Sequence, residues 1–235
     1  MLCDAHLHSS HAPFADLPEG GLYLSCAASR SDWQVLLRDT RIKPFLGILP
    51  EYLTPGWEKD LEKLDMILRK HPGAGIGECG LDKRYYKTFP RREQERVLKS
   101  HFDLARKHGR SLCLHQVQAS GALADFISRE KPDTPIMIHG FRGSEEILKR
   151  CIRLGMYISI GPGDDRQQSG FPELIRKIPR ERLLLETDWP GSSGTEDRSY
   201  IERLNRHYEN VARALGIEKE ALAGSIMKNG TVFTH

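Results

Sequence analysis

Cys3-Asp4-Ala5-His6-Leu7-His8 is the stretch that decides how this chain is read. With Met1 and Leu2 it forms a short apolar run over residues 1–8 that reads as a strand. Strand side chains alternate between faces, so His6 and His8 point the same way, close enough to grip one metal ion. Four more residues of metal-ligand type end apolar runs elsewhere: Glu78 after Gly75-Ile76-Gly77, His115 after Ser111-Leu112-Cys113-Leu114, His139 after Pro135-Ile136-Met137-Ile138, and Asp188 after Leu183-Leu184-Leu185-Glu186-Thr187. These runs are far apart in sequence. Only a fold that gathers strand ends can bring all six residues together.

Working outward, the pattern predicts eight strands, at residues 1–8, 22–27, 44–49, 74–78, 111–115, 135–139, 156–160 and 183–188. Helical periodicity separates most of them. Trp57 to Lys70 carries Leu61, Leu64, Ile67 and Leu68 at helical spacing, and Gln94 to His108 carries Val97, Leu98, Phe102, Leu104 and Ala105. Helical patterns also run from Gly121 to Ser128, from Ser144 to Arg153 and from Pro172 to Ile178, and the tail reads as two helices, Ser199 to Leu215 and Glu218 to Met227. Ser144 before Glu145 and Glu146 marks a helix start, and Gly155 a stop. Strands alternating with helices imply a parallel sheet, and eight such units imply an α/β fold of the TIM-type (β/α)8 barrel with its active residues at the C-terminal mouth. A doubly wound open sheet is the alternative. The polar stretches Gly161 to Gly170 and Pro190 to Asp197 follow the seventh and eighth strands and read as rim loops.

At 235 residues the chain is expected to be one domain, residues 1–235, near the usual size of a single barrel. Hydrophobic residues make up 39% and charged residues 29%, and the mean hydropathy is −0.49, which points to a water-soluble globular protein. No apolar run approaches the roughly 20 residues needed to cross a bilayer, so no membrane partner and a cytoplasmic location are expected. Cys3, Cys26, Cys79, Cys113 and Cys151 are odd in number and lack CxxC spacing, which argues against a disulfide framework or zinc knuckle and for thiols as small apolar fillers. A net charge of +3 is too small to attract nucleic acid at long range, so any such binding must come from local clusters. Nothing in the sequence implies a protein partner.

The six residues suit two divalent ions. His6, His8 and Asp188 would hold one and His115 and His139 the other, with Glu78 bridging through its two oxygens. Mixed nitrogen and oxygen donors favour Zn, Mn, Fe or Mg. Two ions about 3.5–4 Å apart activate a shared water and neutralise charge on the attacking and leaving oxygens, which makes hydrolysis the natural reaction. Asp188 and Glu78 are then the catalytic candidates, Asp188 as the acceptor of the water's proton. A single strand-ending His is more often a satisfied polar residue than a ligand, Glu78 could cap a helix and Asp188 could stabilise a turn; it is their common position at strand ends that sets the six apart. His11, His71, His101, His108, His207 and His235 fall in loops, helices or the tail and read as surface residues. For substrate, Lys83 and Arg84 open a basic and aromatic cluster running to Arg92, which equally describes a solvated loop. Arg142, three residues past His139, is better placed to meet a phosphate, its alternative being a salt bridge to Glu145 or Glu146.

Taken together, Asp4-Ala5-His6-Leu7-His8, Gly77-Glu78-Cys79-Gly80-Leu81-Asp82, His115, His139-Gly140-Phe141 and Glu186-Thr187-Asp188-Trp189-Pro190 closely resemble the TatD family of metal-dependent deoxyribonucleases, within the amidohydrolase superfamily. The likeness spans nearly the whole chain and includes Gln94-Glu95, Asn229 and Phe233. It implies a TIM-type barrel, divalent metals held by His6, His8, Glu78, His115, His139 and Asp188, and hydrolysis of phosphodiester bonds in DNA, which makes nucleic acid the expected substrate. The rim departs from the family pattern: Leu49 stands where the family has His, Val117 where it has Arg, and Gly140 where it has Cys. The competing expectations are an ester, lactone or amide hydrolase of the amidohydrolase type, and a barrel that keeps its metal but only binds a partner.

Overall fold

Eight strands follow one another round a single sheet in sequence order, all parallel: β1 (Cys3–Leu7), β2 (Leu22–Cys26), β3 (Lys43–Leu46), β4 (Gly75–Asp82), β5 (Leu112–Val117), β6 (Ile136–Ile138), β7 (Tyr157–Ile160) and β8 (Leu183–Leu185). The computed structural model describes residues 1–11, 17–162, 171–190 and 199–235, so most of the two rim loops expected after β7 and β8 lies outside the described residues. The sheet curls shut between β1 and the segment after β8. There Asp188 N donates to the His6 carbonyl at 2.9 Å and His8 N to the Trp189 carbonyl at 2.7 Å. These two bonds close the (β/α)8 barrel and bring the first and last candidate ligands side by side.

The helices are α1 (Trp33–Arg38), α2 (Trp57–Lys70), α3 (Arg91–His108), α4 (Ser120–Glu130), α5 (Glu145–Arg153), α6 (Phe171–Arg176), α7 (Tyr200–Leu215) and α8 (Lys219–Phe233). Their apolar stripes bury against the sheet. In α2 the buried residues are Trp57, Leu61, Leu64 and Leu68, the one-sided spacing of an amphipathic helix. Ser144 caps α5 as expected, its Oγ accepting from Ile147 N, and Gly155 (φ 74°) sits in the turn between α5 and β7. Helix α8 is tied to the sheet where β8 starts: Asn229 Nδ2 donates to the carbonyls of Arg180 and Leu183 at 2.7 and 2.8 Å.

Three features differ from the sequence reading. Strand β4 continues four residues past Glu78, pairing Gly80 with His115 and Asp82 with Val117, so Glu78 lies inside the strand instead of at its end. The pairing register shifts between Ile76 and Cys79, across Gly77 and Glu78. Helix α1 has only six residues, too short to show a period. Finally, His101 and His207 are fully buried. Each donates a ring N–H to a backbone carbonyl, His101 Nδ1 to Val97 at 2.9 Å and His207 Nε2 to Ile160 at 2.8 Å, which lets a neutral imidazole sit in an apolar helix stripe. Burial accordingly pushes the His101 imidazole down to about 4.

Candidate metal centre

Alternation along β1 delivers what it promised: His6 Nε2 and His8 Nε2 lie 3.2 Å apart. Asp188 Oδ1 stands 3.4 Å from the first and 3.5 Å from the second, and Glu78 Oε2 is 3.3 Å from both. The other Glu78 oxygen, Oε1, faces the opposite way, 2.6 Å from His115 Nδ1 and 2.7 Å from His139 Nε2, which are themselves 3.2 Å apart. All six predicted ligands therefore meet at the C-terminal mouth, in two groups joined by one carboxylate. Backbone geometry is adapted to this. Asp188 sits at φ 51°, a conformation uncommon for a residue with a side chain, and its carboxylate stays 46% exposed on the cavity wall.

The far nitrogens of the four rings are equally organised. His8 Nδ1–H donates to the Cys26 carbonyl at 2.9 Å, which turns Nε2 to the centre. His139 Nδ1 lies 3.4 Å from Glu186 Oε1, and His115 Nε2 lies 3.3 Å from Asp82 Oδ2. His6 Nδ1 faces Cys113 Sγ at 3.4 Å. Acceptors behind the rings fix which nitrogen carries the proton and aim the other inward, the arrangement that metal-binding histidines use. Asp82 and Glu186 are held in turn: Arg84 clamps Asp82 with Nε at 3.0 Å and Nη2 at 2.6 Å, and Gly140 N donates to Glu186 Oε1 at 2.7 Å.

Electrostatics binds the cluster together. Burial alone would raise the Glu78 carboxyl, but the charges of His139, His6 and His115 outweigh it and hold Glu78 well below the usual carboxylate range. Burial opposes charge on His6 too, yet Glu78 beside it lifts that imidazole well above its ordinary value. Asp188 follows Glu78: hydrogen bonds from His6 and His8 overcome burial and keep it low. Two buried carboxylate oxygens of this region, Glu78 Oε2 and Glu186 Oε2, lack a donor, and the first lies at the centre of the cluster. Glu78 Oε2 is enclosed by ring nitrogens, which is how a carboxylate oxygen looks when its partner is a cation. Borderline nitrogen and hard oxygen donors at these spacings fit divalent ions.

The residues expected to meet substrate are placed differently from one another. Arg142 and Arg84 line a cavity of about 580 Å³ that opens over His115, His139 and Asp188, alongside Gln116, Gln118 and Ser120. The Arg84 fork, however, is engaged by Asp82, and Lys83 is not in the cavity wall. Asp82 and Glu186 were not singled out from the sequence as acceptors behind the ligands. His11 is exposed, as the sequence predicts, but its ring also stacks on His8 with centroids 5.7 Å apart and sets Nε2 3.5 Å from Asp32 Oδ1.

An eight-stranded parallel barrel that gathers imidazoles and carboxylates at its C-terminal mouth defines the class of metal-dependent hydrolases. Within that class the chain belongs to the family of TatD related DNases, whose family model matches residues 22–233. The uncharacterized metal-dependent hydrolase YjjV of Escherichia coli (strain K12) is 28% identical over 211 residues, covering 81% of each chain. The 3'-5' ssDNA/RNA exonuclease TatD of Edwardsiella piscicida is 34% identical over 139 residues, 57% of this chain and 52% of that protein. The uncharacterized metal-dependent hydrolase YabD of Bacillus subtilis (strain 168) is 28% identical over 135 residues, with the same two shares. The matches to these last two span about half of each relative's length. Among solved structures, the YjjV TatD homologue of E. coli superposes with a TM-score of 0.86 at 24% identity, over 99% of this chain and 97% of that one. A TatD family hydrolase from Entamoeba histolytica gives 0.75 at 15% identity, over the same shares. Both likenesses concern the fold.

Proposed function

We propose that this chain hydrolyses phosphodiester bonds in nucleic acid, with His6, His8, Glu78, His115, His139 and Asp188 holding two divalent ions, and that residues 1–235 form one catalytic unit. The observation that carries this is Glu78, whose two oxygens each face a separate pair of imidazole nitrogens. Two ions bound there would supply a water acidic enough to attack at neutral pH and positive charge for the phosphate oxygens. The chain's own residues do the rest. Cys26, Cys113, Asp82 and Glu186 hold the four rings with their donor nitrogens inward. Asp188, on the open side of the cluster and held ionised, would accept the proton from the attacking water. Arg142 stands at the cavity wall to meet a phosphate oxygen, which matches the nuclease names that relatives carry.

The fourth strand offers Glu78 where an amidohydrolase of the ester, lactone or amide type would often need a carboxylated lysine, and this favours the phosphoesterase reading. Among the described residues no helix is long and apolar enough to cross a membrane. The five thiols are buried as free cysteines, which suits the reducing cytoplasm we propose as its location. Incubation of the purified chain with bis(p-nitrophenyl) phosphate and with short single-stranded DNA tests the reading. Turnover with Mn²⁺, Mg²⁺ or Zn²⁺ that disappears on adding chelator is the expected result. Hydrolysis of carboxylic esters without any phosphodiester cleavage would overturn it.

A further inference from the structure

Beneath the hydrolytic centre lies a second set of donors, and its chemistry is different. Residues two apart on a strand share a face, so Cys113 projects on the same side of β5 as His115, one layer deeper in the barrel. Cys26, the last residue of β2, comes in from across the interior. Its Sγ, Cys113 Sγ and a ring nitrogen of His6 lie within 4.8 Å of one another, and all three residues are fully buried. The His6 nitrogen on that side is Nδ1, 3.4 Å from Cys113 Sγ. An ion with sulfur at about 2.3 Å and nitrogen at about 2.0 Å in near-tetrahedral geometry sets those two donors about 3.5 Å apart.

We infer that Cys26, Cys113 and His6 Nδ1 form a site for a thiophilic d¹⁰ ion, Cd²⁺, Zn²⁺ or Cu⁺, which shares His6 with the hydrolytic centre above it. Thiolate donors select soft ions, whereas the upper donors, imidazole and carboxylate, suit harder ones, so the two layers discriminate between metals. Among the described residues, Cys3, Cys79 and Cys151 join no such cluster. The His6 ring cannot serve one layer at a time by turning. It is fully buried and stacked on His139 with centroids 4.0 Å apart and planes 16° apart, which holds Nε2 toward Glu78 and Nδ1 toward the thiols. On binding, the two thiols and Nδ1–H give up their protons to solvent and three bonds to the ion form. His6 would then bridge the two ions as an imidazolate, Nε2 would become a stronger donor, and the ion above would polarise its water less. The lower layer is therefore an inhibitory site.

Cd²⁺ added to the full chain loaded with Mn²⁺ tests this directly. A sulfur-to-cadmium charge-transfer band should grow in and saturate near one equivalent, and X-ray absorption at the cadmium edge of the unaltered protein should count two sulfur neighbours. Cys26→Ala and Cys113→Ala, each checked for folding by circular dichroism, should lose the band at least tenfold, while Cys151→Ser keeps it. Only oxygen and nitrogen neighbours around cadmium, or a band that survives in both alanine variants, would overturn the site. The band and the neighbour count do not depend on turnover, so the site can fail or stand apart from the phosphodiesterase reading. In an active preparation, hydrolysis should fall as the band rises; full hydrolysis at a saturated band would refute the inhibitory role.

Discussion

Asp188 differs from the other five candidate ligands in lying on the open side of the cluster with part of its carboxylate facing the cavity. Asp188→Asn keeps the shape and removes the proton acceptor, so kcat should fall by about 10² or more while the melting temperature stays close to that of the parent; unchanged turnover would assign the proton to another group. The ionisation of the cluster gives a second prediction. Burial opposes charge on both His6 and His139, but Glu78, with Glu186 behind His139, lifts them well above the ordinary imidazole value, so these rings carry protons near neutrality that an arriving cation must displace. Metal binding should release protons and tighten between pH 6 and pH 8. Calorimetry in two buffers of different ionisation enthalpy measures this, and identical heats in both would contradict it. The six candidate ligands were legible because each ends or interrupts an apolar run. Asp82, Glu186 and Cys113 were not, because the acceptor behind a ring comes from a different strand and obeys no spacing in sequence.

At the scale of elements, the position of Glu78 depends on how closely β3 approaches β4. A Cβ on Gly47 would come within 2.6 Å of the Glu78 carbonyl and 2.7 Å of the Gly77 carbonyl carbon, so only glycine lets the strands meet there. Gly47→Ala should cost about 1–3 kcal/mol and also weaken metal binding, because relief of the clash moves the bridging residue. Denaturant titration and metal titration check the two effects; parent stability with parent affinity would show that the strands have room. Outside the barrel, Asp65 on α2 receives Lys107 and His108 of α3 at 2.8 and 2.7 Å and Arg69 at 2.8 Å. The Lys107 hydrogen bond, then His108 and the nearby positive charges, outweigh burial and pull its carboxyl down to about 2 from 3.8. A folded-state value below the unfolded one means the contribution is present above pH 3.8 and is lost as pH falls through about 2. Asp65→Asn should therefore lower the melting temperature by about 2 °C at pH 7, with the gap closing as the solution is acidified toward pH 3. A gap that widened in acid would reverse the sign of this account. The long helices could be read from their apolar stripes, whereas the six-residue α1 and the far end of β4 are set by pairing and packing with other elements.

For the whole molecule, order in the sequence is order round the barrel, which is why strand ends as far apart in sequence as those of His6 and Asp188 became neighbours at one mouth. Alternation of strands and helices showed the barrel; what it did not show is the closing contact, because β8 ends at Leu185 and the ring is completed by the backbone of Asp188 and Trp189 against His6 and His8. The fold thus closes through its candidate metal ligands, and a bound ion that prefers the folded state should stabilise the entire barrel, by about 2.7 kcal/mol at a hundredfold excess over Kd. The central claim is that these six residues hold two ions bridged by Glu78. Anomalous diffraction from crystals grown with Mn²⁺ measures that directly. Two peaks about 3.5–4 Å apart, one against His6, His8 and Asp188 and the other against His115 and His139, with Glu78 between them, are the expected result; no peak among these residues, or manganese bound only elsewhere on the chain, would contradict it.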